Sequence, residues 1–296
     1  MNTKTESSAT SQAVTNELRQ WILEQVAKGC QPLDLLRTML VGGWADATAR
    51  HALQTTLPLG VALLPAQPAQ PAAVQRQQVP LPEPALAGAP SVIVIDDHPV
   101  AVVMNLKHPR VLVFGGLLTA DECDELISQA EPRLERSQTV VNATGGSEVN
   151  AARTSDGMFF ERGESPLIQR IETRVAALLN WPLERGEGLQ ILHYRPGAEY
   201  RPHFDYFDPA HSGTPTILQR GGQRVGTLVM YLNTPARGGA TTFPDAALEV
   251  AAIKGNAVFF SYDRPDPATR TLHGGAPVLE GEKWVATKWL REGTFV

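Results

Sequence analysis

Cysteine is nearly absent from this chain: Cys30 and Cys123 are the only two in 296 residues, and they lie in different segments. Neither a disulfide framework nor a cysteine-based zinc site can be built from them, which suits a reducing compartment. No uninterrupted apolar run approaches the roughly 20 residues of a membrane span. The opening MNTKTESSATSQ also lacks the apolar core of a secretory signal. The expectation is therefore a cytoplasmic protein without membrane association. Positive charge is not in excess either: 26 Lys and Arg face 31 Asp and Glu, for a net charge of −5, which gives no reason to expect nucleic acid as partner. What is present, 43% hydrophobic and 19% charged residues, is the balance of a globular chain with room for one large or two modest domains.

The punctuation divides the chain. Residues 1–14 are polar and read as a disordered tail. Over 15–60 the pattern is helical in three pieces: ELRQWILEQVAKG stops at Gly29, PLDLLRTMLVGG runs from Pro32 to Gly42 and Gly43, and DATARHALQTTL follows. This three-helix module is faintly similar to ubiquitin-associated helical modules. That similarity implies a docking role for a partner, beside the plainer role of oligomerisation or support. Residues 61–90 read as a linker, because PAQPAQPAAVQRQQVPLPEPALAGAP carries prolines and almost no large apolar groups.

From residue 91 to 296 the sequence reads as one larger domain. SVIVI and RVLVF are strands. TADECDELISQA is a helix with a Thr119/Glu122 capping box and an apolar stripe of Cys123, Leu126, Ile127 and Ala130. SPLIQRIETRVAALLNW is a second amphipathic helix opening at Ser165 and Pro166. Beyond it the apolar period changes from helical to alternating, in GLQILHY, VGTLVMYLN, NAVFFSY and KWVATKWL, broken by Gly, Pro and Asn. Helices followed by a run of strands predict an α+β, mainly β fold: a β-sandwich or jelly roll braced by helices.

Within RPHFDYF, His203 and Asp205 stand two apart, a spacing that puts both on one face of an extended strand. One imidazole and one carboxylate converging on a point make two thirds of a facial triad for non-haem iron, which takes one further histidine. Of the other histidines in the strand region, His193 sits beside Tyr194, and His211 lies in the loop DPAHSGTP. His273 begins HGGAPVLEGEKW, ten residues before Lys283. Two strands meeting antiparallel around a turn would hold His273 and Lys283 at different depths of one pocket. The Gly-rich stretches 142–157 and 208–223 flank these residues in sequence and are expected to act as lids.

From about Val111 to Trp289 the chain resembles the prolyl 4-hydroxylase branch of the iron(II)/2-oxoglutarate dioxygenases. The stretches that carry the resemblance are LTADECDELI, RTSDGMFF, EGLQILHYRPGAEYRPHFDYF, VGTLVMYLNTPARGGATTFPD, KGNAVFFSY and HGGAPVLEGEKWVATKWL. The resemblance implies a double-stranded β-helix over about 186–294. It implies His203, Asp205 and His273 as iron(II) ligands and catalytic centre. Lys283 and Tyr194 match residues that hold the far carboxylate of 2-oxoglutarate, and Thr241 matches a residue lining that pocket. Trp289 stands where the family places an aromatic near the substrate, and Arg153 either closes over substrate or pairs with an acid. Iron(II), 2-oxoglutarate and dioxygen are implied, with L-ascorbate as a reductant. Two positions depart from the family pattern: Ala240 stands for the usual acid after the Gly-Gly pair, and Thr234 for the usual Asp after Asn233.

The activity implied is hydroxylation of a prolyl residue in a peptide or protein, with succinate and carbon dioxide released. A hydroxylase of a free amino acid or other small molecule is the rival enzyme. A metal-binding or docking protein built on the same scaffold is the rival of another class. A narrow closed pocket would favour the small molecule, and an open groove the peptide.

Overall fold

The computed structural model describes residues 14–27, 32–41, 44–57, 80–140, 147–149 and 153–296. The expected tail and most of the expected linker lie outside these residues. The chain divides into two units, Met1–Gln77 and Gln78–Val296. In the smaller unit α1 (Asn16–Ala27), α2 (Pro32–Val41) and α3 (Asp46–Thr56) carry the three predicted helices. Their apolar faces bury Ile22, Leu35, Leu36, Met39, Ala49, Ala52 and Leu53 in a core of its own.

The larger unit begins with β1 (Val92–Ile95), β2 (His98–Leu106) and β3 (Arg110–Gly115), then α4 (Ala120–Ala130). The short strands β4 (Glu135–Arg136), β5 (Gln138–Val140) and β6 (Ser147–Val149) follow, then β7 (Asp156–Phe160) and α5 (Pro166–Leu178). After them come β8 (Leu189–Tyr194), β9 (Tyr200–His203), α6 (Thr214–Leu218), β10 (Arg224–Tyr231), β11 (Arg237–Gly238), β12 (Thr241–Phe243) and β13 (Leu248–Val250). The chain ends in β14 (Ala257–Ser261), β15 (His273–Gly275), β16 (Val278–Glu280) and β17 (Lys283–Arg291).

Nine strands form the major sheet, in the order β1-β2-β3-β14-β10-β17-β8-β7-β4, and four form the minor sheet, β13-β12-β15-β9. All pairings are antiparallel. Strands β8 and β17 are buried along their whole length, because both faces of the major sheet are covered. On one face α4 and α5 lay Cys123, Leu126, Leu167, Ile168, Ile171 and Val175 against Leu189, Ile191, Leu228 and Ala286. On the other, Phe243 and Val250 of the minor sheet pack with Tyr231, Val258, Phe260 and Val285. This is a double-stranded β-helix, a jelly roll braced by helices. The Thr119/Glu122 capping box starts α4, and Ser165 caps α5 with Pro166 at its first position, as the sequence predicts.

The linker expectation needs a correction at its end. Residues 80–90 belong to the larger unit: Leu81 and Leu86 pack on its helix-side core, Pro82 and Pro84 are buried, and the Glu83 backbone N–H donates to the Leu179 carbonyl. Glu83 also pairs with Arg110. Proline content misleads here because a Pro-rich strap satisfies few backbone groups yet still buries rings against a sheet. A chain starting at Ser91 should therefore melt below one starting at Gln78. Losing the strap removes about 2 kcal/mol of apolar burial, or roughly 4–8 °C in a unit of this size. Equal melting temperatures would show that the strap adds nothing.

Candidate metal centre and adjoining pockets

His203 ends β9, and Asp205 lies in the bend that follows, so the pair does not share one continuous strand as its spacing suggests. His273 opens β15 and is the direct pairing partner of His203. A glycine at 274 allows this: a Cβ there would come within 2.8 Å of the Tyr200 carbonyl oxygen on β9. The two imidazole centroids are 4.4 Å apart. Ligand atoms of His203, Asp205 and His273 all lie within 4.8 Å of one another.

The proton positions suit a metal. His203 Nδ1 stands 3.0 Å from the Arg201 carbonyl oxygen and His273 Nδ1 3.0 Å from that of Thr271. A carbonyl only accepts, so each Nδ1–H donates, which leaves Nε2 as the nitrogen that can ligate. Both Nε2 atoms are 3.4 Å from the Asp205 carboxylate. Burial pushes the His273 imidazole down to about 4, so it is neutral near pH 7. Burial also disfavours charge on Asp205, but the neighbouring His273 and His203 imidazoles and the Arg224 guanidinium outweigh it and hold its carboxyl far below the usual range. Two imidazole nitrogens and one carboxylate, facing one point, match the donor set of a mononuclear non-haem iron(II) centre.

Lys283 opens β17, opposite Tyr194 on β8. It faces the centre from the major sheet, whereas His273 belongs to the minor one; the two are not partners in one hairpin, as their spacing suggests. The Lys283 side chain is 4% exposed, its Nζ lies 5.4 and 5.9 Å from the ring centroids of Tyr194 and Tyr231, and no hydrogen bond or ion pair reaches it among the described residues. Burial pushes its ammonium down to about 8. A buried cation lacking a carboxylate is expensive unless a ligand brings one. Thr241, on β12, accepts a 2.8 Å hydrogen bond from the Tyr231 hydroxyl at the edge of the same cavity.

All eight residues singled out in the sequence line this narrow cavity, Arg153 and Trp289 included. Arg153 is buried, donates to Gln190 Oε1 at 2.9 Å and covers the Tyr200 ring at 4.9 Å. Trp289, 8% exposed, packs under the Arg224 guanidinium at 4.0 Å and faces the exposed Phe159 ring at 6.5 Å, so it is core and cavity wall at once. The narrow cavity adjoins a larger one of about 840 Å³, walled by Phe159, Tyr200, Tyr206, Phe207, Arg224 and Trp289 among others. Of the expected lids, 208–223 contributes Asp208 and His211 to the larger cavity and folds partly into α6. Much of 142–157 lies outside the described residues. His193 stacks on Trp284, 4.1 Å between centroids.

Sequence reading missed Thr227, whose hydroxyl reaches Asp205, Tyr262, whose hydroxyl reaches that of Thr227, and the buried Arg224, which Glu187 holds through two hydrogen bonds. The available signal was a lone small hydroxyl, Thr227, inside the apolar run VGTLVMYL.

A jelly roll carrying two histidines and a carboxylate beside a buried, partnerless ammonium defines a class: mononuclear metal enzymes that take a dicarboxylate cosubstrate. Residues 189–291 match the model of the 2OG-Fe(II) oxygenase superfamily. Over 235 residues, 71% of this chain and 75% of the relative, the sequence is 38% identical to "Prolyl 4-hydroxylase 2" of Arabidopsis thaliana. It is 37% identical over 221 residues to "Probable prolyl 4-hydroxylase 4" of the same plant, covering 67% and 72%. Among solved structures, the viral collagen prolyl hydroxylase vCPH of Paramecium Bursaria Chlorella virus-1, as its 2OG complex, is 30% identical over 61% of this chain and 95% of that one, with a TM-score of 0.46. The chain belongs to the 2OG-Fe(II) oxygenase superfamily.

The free lysine predicts a pH dependence. A bound carboxylate favours protonated Lys283, so the lysine's pKa is higher in the complex than the value of about 8 in its absence. Between those two values, binding takes up one proton, and 2-oxoglutarate affinity should fall by about tenfold per pH unit as pH rises above 8. Calorimetry from pH 7 to 10 in the metal-loaded protein checks this. A flat profile would remove Lys283 from the cosubstrate site.

Proposed function

We propose that this protein hydroxylates a prolyl residue in a peptide or protein, using iron(II), 2-oxoglutarate and dioxygen and releasing succinate and carbon dioxide. The observation that carries the peptide reading is the cavity of about 840 Å³ beside the centre, with the Phe159 ring 49% exposed on its wall. A site built for a free amino acid would be closed over, and such a large aromatic surface would be covered. The names of the Arabidopsis relatives support the prolyl assignment.

Bound iron(II) and 2-oxoglutarate would supply the oxidation: one atom of dioxygen ends in the new hydroxyl and the other in the succinate left when the keto acid loses carbon dioxide. The chain's own residues hold and orient. His203, Asp205 and His273 would hold the metal, with both imidazoles already in the tautomer that presents Nε2. Lys283 would neutralise the far carboxylate of the cosubstrate and fix which end points at the metal, with Tyr194 and Thr241 as hydrogen-bonding neighbours. Trp289 and Phe159 would offer apolar ring surface to a proline, and Arg153 would fix the Tyr200 ring, which stacks on His203 at 3.8 Å, and exclude water where the two cavities meet. L-ascorbate as reductant, a cytoplasmic setting and a docking partner for the three-helix module belong to the same proposal.

The test is mass spectrometry of proline-containing peptides incubated with the protein, with and without 2-oxoglutarate. Gain of one oxygen atom on proline that depends on 2-oxoglutarate is expected. Oxidation of free amino acids with none on peptides would overturn the substrate assignment while leaving the oxygenase class intact.

A further inference from the structure

The Asp205 carboxylate is gripped from both sheets. Its Oδ1 is 3.4 Å from His203 Nε2, and its Oδ2 is 3.4 Å from His273 Nε2. From the major sheet, Thr227 Oγ1 stands 2.7 Å from Oδ2, and the Tyr262 hydroxyl is 3.1 Å from Thr227 Oγ1. Thr227 is 0% exposed, Tyr262 2% and Asp205 7%, so water does not compete for these bonds.

The direction of the chain follows from proton counting. An ionised carboxylate only accepts, and Thr227 has a single hydroxyl proton, so Thr227 donates to Asp205 and accepts from Tyr262. The Tyr262 hydroxyl makes no other hydrogen bond among the described residues. Both protons therefore point toward the metal ligand, and one lone pair of Oδ2 is taken. A carboxylate can ligate an ion through one oxygen or through both, as carboxylates do at calcium.

We infer that Thr227, backed by Tyr262, is a positioning residue that restricts Asp205 to metal ligation through Oδ1 alone. The consequence is an open coordination position. An octahedral ion held by three single-atom ligands keeps three sites for cosubstrate chelate and dioxygen, whereas a two-oxygen Asp205 would close one of them. The inference rests on the proposed metal-centre function.

Manganese(II) bound to the protein, read by water-proton relaxation, reports the number of exchangeable waters without turnover. In Thr227→Val, nearly isosteric, the relaxivity of bound manganese should fall by about a third, one water in three. Thr227→Ser should restore it, because the hydroxyl returns. Tyr262→Phe should give an intermediate value. Should Thr227→Val misfold because it strands the Tyr262 hydroxyl, the double variant Thr227→Val/Tyr262→Phe removes both hydroxyls and should show the same fall. Unchanged relaxivity in a folded Thr227→Val or double variant, with manganese still bound, would overturn the inference. Failure of the metal-centre reading is a separate result: manganese binding to the wild type that survives His203→Ala would place the ion elsewhere and sink both.

Discussion

Alanine at His203, Asp205 or His273 is expected to abolish turnover and to weaken iron(II) binding to the point where the metal is lost on gel filtration. Each residue supplies one of the three ligand atoms gathered within 4.8 Å, and no other cluster of that kind exists among the described residues. Loss of one ligand from three opens the centre and removes the geometric selection of the ion. The variants differ in their side effects. Asp205→Ala removes a buried charge that Thr227 hydrogen-bonds and the Arg224 guanidinium favours, so its melting temperature should move most. His203 is only partly buried, and His203→Ala should leave the fold nearly as stable as the wild type. Metal content and thermal melting measured together separate loss of a ligand from loss of the fold. Full metal retention by His203→Ala in a folded protein would rule out this centre.

Lys283→Ala should raise the dissociation constant of 2-oxoglutarate by at least about a hundredfold while leaving metal affinity nearly unchanged. Nothing in the described structure neutralises this ammonium, so a bound carboxylate would become its partner; losing one member of such a buried pair costs about 3–5 kcal/mol, and 1.4 kcal/mol is tenfold in binding. Lys283→Met keeps most of the apolar stem and should lose as much affinity, which assigns the effect to charge rather than packing. Lys283→Arg should recover only part. A planar fork is broader than an ammonium, and the Lys283 stem already runs where a Cβ on Gly239 would approach Cδ to 3.2 Å. Equal affinities for wild type and Lys283→Met, titrated at saturating metal, would remove the lysine from the cosubstrate site.

The strands and capped helices were legible because their signals are local. GLQILHY and KWVATKWL read as strands from their alternating apolar pattern and are the paired strands β8 and β17. Thr119 with Glu122, and Ser165 with Pro166, announce helix starts that the backbone uses. The pairing of β15 with β9 was not legible. It joins residues seventy apart, and only the resemblance to a family brought His273 to His203. Spacing alone misplaced Asp205 on the strand and His273 and Lys283 in one hairpin, since a period of two says nothing about where a strand ends or which sheet it enters. Thr227 and Tyr262 escaped notice for a related reason. A single hydroxyl in an apolar strand looks the same whether it fills space or holds a ligand, and only the folded partner tells them apart. Proline-rich composition likewise could not show that Leu81 and Leu86 find a core.

The central claim is that this chain couples 2-oxoglutarate decarboxylation to oxygen insertion at a prolyl residue. Its most direct test is the ratio of succinate formed to hydroxyproline formed on a proline-containing peptide, with iron(II) and dioxygen supplied. The account predicts matched amounts of the two products, both lost in His273→Ala and both lowered at limiting 2-oxoglutarate in Lys283→Met. Hydroxyproline formed without 2-oxoglutarate, or no succinate with any peptide that binds the larger cavity, would contradict it.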